Sequence, residues 1–250
     1  MMRRRLLGTL VLLAGLAGAG TAGAVECRQA SHDGNRYTLC EADATRETLR
    51  LFRTDAEGTP YGHFAPLEAA LAAQGERLLF AMNGGMYHED RAPVGHYIED
   101  GQEEMRVIPG PGPGNFGLLP NGIFCIEANR ARVIETRDYL ADRPDCRHAT
   151  QSGPMLVIGG ELHPRFLPDS SSRYIRNGVG TSADGQRVVF AISENPVTFH
   201  EFGRLFRDGL GLPDALFLDG NVSRLFDRAG GRADLGRRMG PILAVTAPAE

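Results

Sequence analysis

Two acidic residues stand where a catalytic pair would be presented. Val188 to Ser193 and Ala215 to Leu218 are short apolar runs, and Thr198 to Leu210 between them carries helical periodicity. A strand, a helix and a second strand of this length form the crossover that joins two strands pointing the same way. Glu194 follows the first strand and Asp219 the second. Both carboxylates are therefore expected at the carboxyl-end edge of the sheet, where ligands bind in open α/β sheets. Two acids at one edge can serve as general acid and base, or as nucleophile and acid, on a sugar. The plainer alternative is that each caps a turn, a position that Asp and its relatives favour.

Other segments point to the same kind of edge. Asn83-Gly84-Gly85-Met86-Tyr87 follows directly on the apolar run Leu78 to Met82, so the chain turns sharply where a strand ends and offers backbone amides unobstructed by side chains. Such a turn can cradle an anion. Arg173, Arg176 and Asn177 precede the strand Val179 to Ser182, and the turn Asn177-Gly178 can hold the Arg176 guanidinium toward a pocket. Asp219 and Arg176 are both expected on a polar edge and not in the core, so their replacement is expected to leave the fold intact. Sharper motifs fail. Gly110, Gly112 and Gly114 alternate with prolines and complete no phosphate loop, and no GxSxG surrounds Ser152. His88, Glu89, Asp90 and His96 fit no metal spacing and are expected in an exposed loop. No metal and no cofactor are expected.

The elements that must position these groups follow from hydrophobic period. Helices are expected at Phe64 to Gln74, with Pro66 in the first turn and Gly75 at the stop; at Thr136 to Ala141; and at Thr198 to Leu210, where Thr198 and Glu201 are spaced as a capping box. Strands fill most of the rest, with turn signals at Asn121-Gly122, Gly159-Gly160 and Asp184-Gly185. The expected fold class is α+β, a mixed β-sheet core with few flanking helices that includes one strand-helix-strand crossover near the C-terminus.

Composition narrows the partners. The chain has 250 residues, 42% of them hydrophobic, with 32 Gly and 15 Pro but no long polar tract, which excludes disordered, collagenous and coiled-coil chains. Its 27 basic residues are all Arg and face 31 acidic ones, for a formal net charge of -4. No basic run tracks a phosphate backbone, so nucleic acid is not an expected partner. The first 24 residues read as an export signal: Arg3 to Arg5, the apolar Leu6 to Leu16, and the small-residue site Ala22-Gly23-Ala24. The apolar stretch is shorter than the roughly 20 residues that a spanning helix needs, so no stable membrane span is expected. Residues 25–250 then form a single domain, located in the periplasm or secreted. In such a compartment the 4 cysteines are expected to form two disulfides. Three pairings are possible, and Cys27 with Cys40 and Cys125 with Cys146 is the most local.

Taken in order, the segments resemble the phosphodiester glycosidase family, which includes the domain of the lysosomal uncovering enzyme (N-acetylglucosamine-1-phosphodiester alpha-N-acetylglucosaminidase) and many bacterial relatives. Asn83-Gly84-Gly85-Met86-Tyr87 is similar to the family's Asn-Gly-Gly element. Gly114-Asn115-Phe116 with Pro120-Asn121-Gly122 is similar to its bacterial-type middle, and Thr150-Gln151-Ser152-Gly153-Pro154 to the segment that follows. Arg176-Asn177-Gly178-Val179-Gly180 and Leu218-Asp219-Gly220-Asn221-Val222-Ser223 are similar to its last two elements. The one departure is Asn221, where the family usually has Gly.

The resemblance implies an exported hydrolase that cleaves a sugar from a sugar-1-phosphodiester. It implies Arg176 at the phosphate, Asp219 as nucleophile or base, and Glu194 as the second carboxylate. Asn83 with the Gly84 and Gly85 amides would position substrate, and Gln151, Ser152, Asn177, Gly220 and Ser223 would support it. Two other classes stay open. A conventional glycosidase would use Glu194 and Asp219 on sugars without phosphate, and a noncatalytic envelope module would bind polysaccharide without turnover, a reading that the Asn221 departure favours.

Overall fold

The computed structural model describes residues 25–219 and 222–249. The expected leader, residues 1–24, and the site residues Gly220 and Asn221 lie outside the described residues. In chain order the elements are β1 (Glu26–His32), β2 (Asn35–Asp43), β3 (Thr48–Phe52), α1 (Phe64–Ala73), β4 (Glu76–Asn83), β5 (Tyr97–Glu99) and β6 (Gln102–Met105). They continue as β7 (Gly122–Ile126), β8 (Ala131–Glu135), α2 (Thr136–Asp142), β9 (His148–Ser152), β10 (Met155–Ile158), β11 (Glu161–Leu162), β12 (Asn177–Thr181) and β13 (Arg187–Ser193). The last are α3 (Phe199–Arg204), which widens into a π-helical turn over Leu205–Gly209, then β14 (Asp214–Asp219), β15 (Leu225–Asp227), β16 (Arg232–Ala233) and β17 (Ile242–Pro248).

The strands form three sheets, ordered β1-β2-β13-β12-β14-β10-β11, β16-β15-β4-β17-β3 and β6-β5-β9-β7-β8. Many strands and three short helices make an α+β fold, with neighbouring strands antiparallel throughout. The strand-helix-strand unit is present, but β13 and β14 are not neighbours. Both pair with β12 and run antiparallel to it, so they share a direction while one strand stands between them. Their carboxyl ends therefore open on the same edge, one strand further apart than an adjacent parallel pair would place them.

Why the central strands read as unbroken apolar runs follows from their two covered faces. Val188, Phe190 and Ile192 of β13 and Leu216 and Leu218 of β14 enter a core shared with Phe80 and Met82 of β4 and Phe124 of β7. The alternate residues Val189, Ala191, Ala215 and Phe217 pack instead against Phe202, Leu205 and Phe206 of the capped helix. Thr198 caps that helix through the Glu201 N–H while Glu201 reaches back to the Thr198 N–H, the reciprocal pair that its spacing announces. On the second sheet, Phe64, Leu67 and Leu71 of α1 cover Ala81, Ile242 and Ala244. Cys27 is bonded to Cys40 across the β1–β2 pair, and Cys125 to Cys146. None of the described helices is long and apolar enough to cross a membrane.

The third sheet carries two oppositely shifted groups. Tyr97 donates to Glu99 at 2.7 Å, and burial pushes the Glu99 carboxyl up to about 7, against an ordinary 4.5. On the neighbouring strand, burial pushes the His148 imidazole from 6.5 down to about 4. Between about pH 4.5 and 7 the native Glu99 holds a proton that the unfolded chain has lost, so its contribution to stability is lost as pH rises through that window. His148 acts oppositely: below 6.5 the unfolded chain binds a proton that the native state refuses, and stability falls as pH drops toward 4. Glu99→Gln is expected to raise the melting temperature at pH 8 and to make its fall from pH 6.5 to 4.5 steeper than in the unmodified protein. Melting curves across that range test both; parallel profiles would remove Glu99 from the balance.

Candidate active site

The ends of β4, β12 and β14 meet at one edge, and a buried amide pair locks them there. Asn177 begins β12 opposite Asp219 at the end of β14. Its side-chain N–H donates to Asn83 Oδ1 at 2.7 Å, and that oxygen also accepts the Arg224 N–H at 3.1 Å. Both asparagines are fully buried, and Asn83 Nδ2 and Asn177 Oδ1 find no partner among the described residues. Buried unpaired amide atoms are costly, which marks this junction as one kept for its geometry. Ser223 Oγ donates to the Ile175 carbonyl at 3.1 Å and lies 3.2 Å from the Asp219 carbonyl, holding the turn after β14.

Beside this junction opens a cleft of about 770 Å³. Asp219 and Arg176 both line it, together with Tyr87, His88, Arg91, Asn115, Phe116, Ser172, Tyr174, Arg237 and Arg238. Asp219 is the sole carboxylate among the described lining residues.

Arg176 is held by an unusual set of contacts. Its Nε donates to the Val197 carbonyl at 2.9 Å and its Nη2 to the Ser172 carbonyl at 3.0 Å. The guanidinium carbon lies 3.6 Å from the centre of the Phe199 ring, with the Tyr174 and Phe217 rings at 5.5 Å. Stacking of this kind is a property of the planar guanidinium that Lys does not share. Burial lowers its pKa to about 10, so it remains a cation at neutral pH. No carboxylate pairs with it among the described residues. A desolvated cation without a described counter-ion, at the wall of a cleft, has the chemistry to receive an anionic ligand. The expectation that Arg176 lies on a polar edge outside the core is corrected here: the side chain is 1% exposed and packed among aromatic rings.

Other expected residues are placed differently. Glu194 does not line the cleft. It accepts from Thr38 Oγ1 at 2.6 Å and is ion-paired with Arg232 at the start of β16, so it fastens the first sheet to the second. Gln151 is spent on a loop: its Oε1 accepts the His96 and Ile108 N–H groups and its Nε2 donates to the Ile108 carbonyl and to Thr136. Ser152 donates to the Leu218 carbonyl at 2.7 Å and steadies β14 just before Asp219. The Gly84 N–H is taken by the Pro241 carbonyl at 2.7 Å, and a Cβ on Gly85 would lie 2.6 Å from Thr150 Oγ1, so this turn serves close packing more than anion contact. The exposed-loop cluster also divides. His96 is buried between Tyr139 and the Met105 carbonyl, while His88 faces the cleft.

Sequence reasoning missed the loop that brings Arg237 and Arg238 to the cleft. Arg224, 4% exposed, donates to the carbonyls of Asp234 and Arg237, and Tyr87 donates to the Arg238 carbonyl at 2.9 Å. A Cβ on Gly240 would sit 2.5 Å from Tyr87, so only glycine lets the loop close onto that ring. The tandem Arg237-Arg238 was the available signal, but nothing in its neighbourhood ties it to Asp219. The Tyr87 pKa is raised, first by burial and then by the Asp219 charge, with Arg91, Arg224 and Arg237 opposing.

Comparison with known proteins gives the family and the fold. The chain aligns with the catalytic domain of zebrafish N-acetylglucosamine-1-phosphodiester alpha-N-acetylglucosaminidase, solved in a form auto-inhibited by its pro-peptide, with a TM-score of 0.60 over 94% of this chain and 85% of that one. Identity there is 14%, so the likeness is one of fold. It is 34% identical over 184 residues to the uncharacterized protein YigE of Escherichia coli (strain K12), covering 74% of this chain and 71% of that protein. Residues 76–241 match the phosphodiester glycosidase family model, a span that runs from the first residue of β4 across the cleft to the carbonyl that holds Gly84, and the chain belongs to that family.

Proposed function

We propose that this protein is an exported hydrolase that releases a sugar from a sugar-1-phosphodiester. The observation that carries the reading is a cleft with one carboxylate, Asp219, and one buried, uncompensated guanidinium, Arg176. Ordinary glycosidases need two carboxyl groups, one of them to protonate the departing alcohol. A departing phosphate monoester has its next pKa at only about 6 and leaves with little protonation. A single carboxylate beside a fixed cation suits that leaving group, and Glu194, held by Arg232 away from the cleft, is not required. Asp219 acts on the anomeric carbon as nucleophile, or as the base that activates water. Arg176 holds the phosphate and strengthens its hold as charge builds there. Tyr174, exposed and lining the cleft, offers a flat apolar face to a sugar ring.

The protein is expected to release free sugar from an N-acetylglucosamine-phospho-mannoside faster than from the matched glycoside lacking phosphate. Equal or faster cleavage of the neutral compound would make it a conventional glycosidase. Sugar binding without product across a broad phosphodiester panel would make it a binding module. For export, mass spectrometry of periplasmic material is expected to find a chain starting near Val25 without free thiols. An intact leader or four alkylatable cysteines in the native protein would refute that.

A further inference from the structure

The cleft holds more positive charge than one phosphodiester needs. Arg91, Arg176, Arg237 and Arg238 line it against the single carboxylate of Asp219, in a chain of formal net charge -4. None of these four is ion-paired with a carboxylate among the described residues. Arg50, Arg53, Arg173, Arg187, Arg228 and Arg232, outside the cleft, each pair with a glutamate. In an acidic protein, leaving several guanidiniums without counter-ions in one concave surface focuses a positive field on whatever enters it.

The wall carrying Arg237 and Arg238 is also built to stay in place. Buried Arg224 clasps the Asp234 and Arg237 carbonyls, Tyr87 binds the Arg238 carbonyl, and the Met239 N–H donates to the Gly62 carbonyl at 2.8 Å. The Arg238 guanidinium donates to the Pro60 carbonyl at 3.1 Å. The Arg237 side chain is exposed and makes no hydrogen bond within the described protein. A rigid backbone thus presents a guanidinium that the fold itself does not use. Arg176 sits in a separate aromatic pocket, stacked on Phe199, and is the residue proposed above for the scissile phosphate.

We infer that the Arg237-Arg238 wall is a second anion subsite, and that the natural substrate carries a further negative group, a phosphate or a carboxylate, beyond the phosphodiester that is cleaved. The inference rests on the proposed function for the identity of the first anion. The substrate class is then a polyanionic glycan phosphodiester, whose next repeat supplies either another phosphate or a uronic acid carboxylate. A guanidinium receives either through paired N–H groups.

Binding can be read without turnover, which separates this inference from the reading it rests on. Calorimetric titration would compare glucose 1-phosphate, glucose 1,6-bisphosphate and glucuronate 1-phosphate on the whole mature protein, on Arg237→Ala and on Arg237→Glu. A second anion is expected to tighten binding about tenfold, the scale of one charge-assisted contact. That gain should vanish in Arg237→Ala and become a penalty in Arg237→Glu, with melting temperatures near that of the unmodified protein because the side chain supports no internal contact. Whichever of the bisphosphate and the glucuronate shows the gain identifies the source of the charge. Equal affinity for all three ligands, no binding by any of them, or a gain that survives both substitutions overturns the subsite. If the charge gain appears while no phosphodiester is hydrolysed, the catalytic reading falls and the subsite stands.

Discussion

Asp219→Asn is expected to lower kcat/KM on a sugar-1-phosphodiester roughly 10³-fold or more, the scale lost when a positioned base or nucleophile is removed. The substitution keeps the side chain's size and removes its charge. Asp219 ends β14 opposite Asn177, and Asn leaves in place two backbone contacts of this strand end: Ser223 against the Asp219 carbonyl, and Ser152 on the carbonyl of Leu218. The melting temperature should therefore stay close to that of the unmodified protein while turnover disappears. Kinetics beside thermal melting decide it. Activity within a few-fold of normal would take Asp219 out of the chemistry, and a collapsed melting temperature would give it a structural role.

Arg176 is expected to respond differently, because it serves the fold as well as the ligand. Arg176→Ala strands the Val197 and Ser172 carbonyls and leaves a gap over the Phe199 ring, with an expected cost of roughly 2 kcal/mol for the unsatisfied groups alone. Lost activity in that variant is ambiguous. Arg176→Met fills the same aromatic slot without charge and should recover much of the melting temperature but not the activity. Arg176→Lys restores a charge without the planar fork that stacks and donates twice, and should recover only part of the rate. The decisive readout is the ratio of kcat/KM for the phosphodiester over the matched neutral glycoside. It should fall toward one in Arg176→Met. A ratio that stays at the normal value would move the phosphate elsewhere in the cleft.

How much was legible beforehand differs by element. The capped helix was readable because Thr198 and Glu201 satisfy each other locally and Phe199, Phe202 and Phe206 recur on its face. The apolar strands β4, β13, β14 and β17 were readable because both their faces are buried. Strand β9 was not. Its residues His148, Thr150, Gln151 and Ser152 are polar and yet wholly buried, made tolerable by partners such as the Ile108 backbone and the Leu218 carbonyl. Strand β1 carries no apolar signal for the opposite reason: it is an edge with mostly exposed residues, secured by pairing with β2 and by the Cys27–Cys40 bond.

The amino-acid sequence by itself determined the family, the α+β class, and the direction shared by β13 and β14, which brings Asp219 to an edge of the sheet. Those features rest on local spacing, which short-range hydrogen bonds and alternating burial translate directly into geometry. Only the tertiary structure decided which carboxylate faces the cleft, because Glu194 is claimed by Arg232, 38 positions away in the chain and on another sheet. Only it showed that Arg176 is buried, since the rings of Phe199 and Phe217 that enclose it come from two different elements. And only it brought Arg237 and Arg238 to the cleft, because that loop is placed by a buried arginine and a tyrosine whose reach across the chain leaves no trace in spacing or composition.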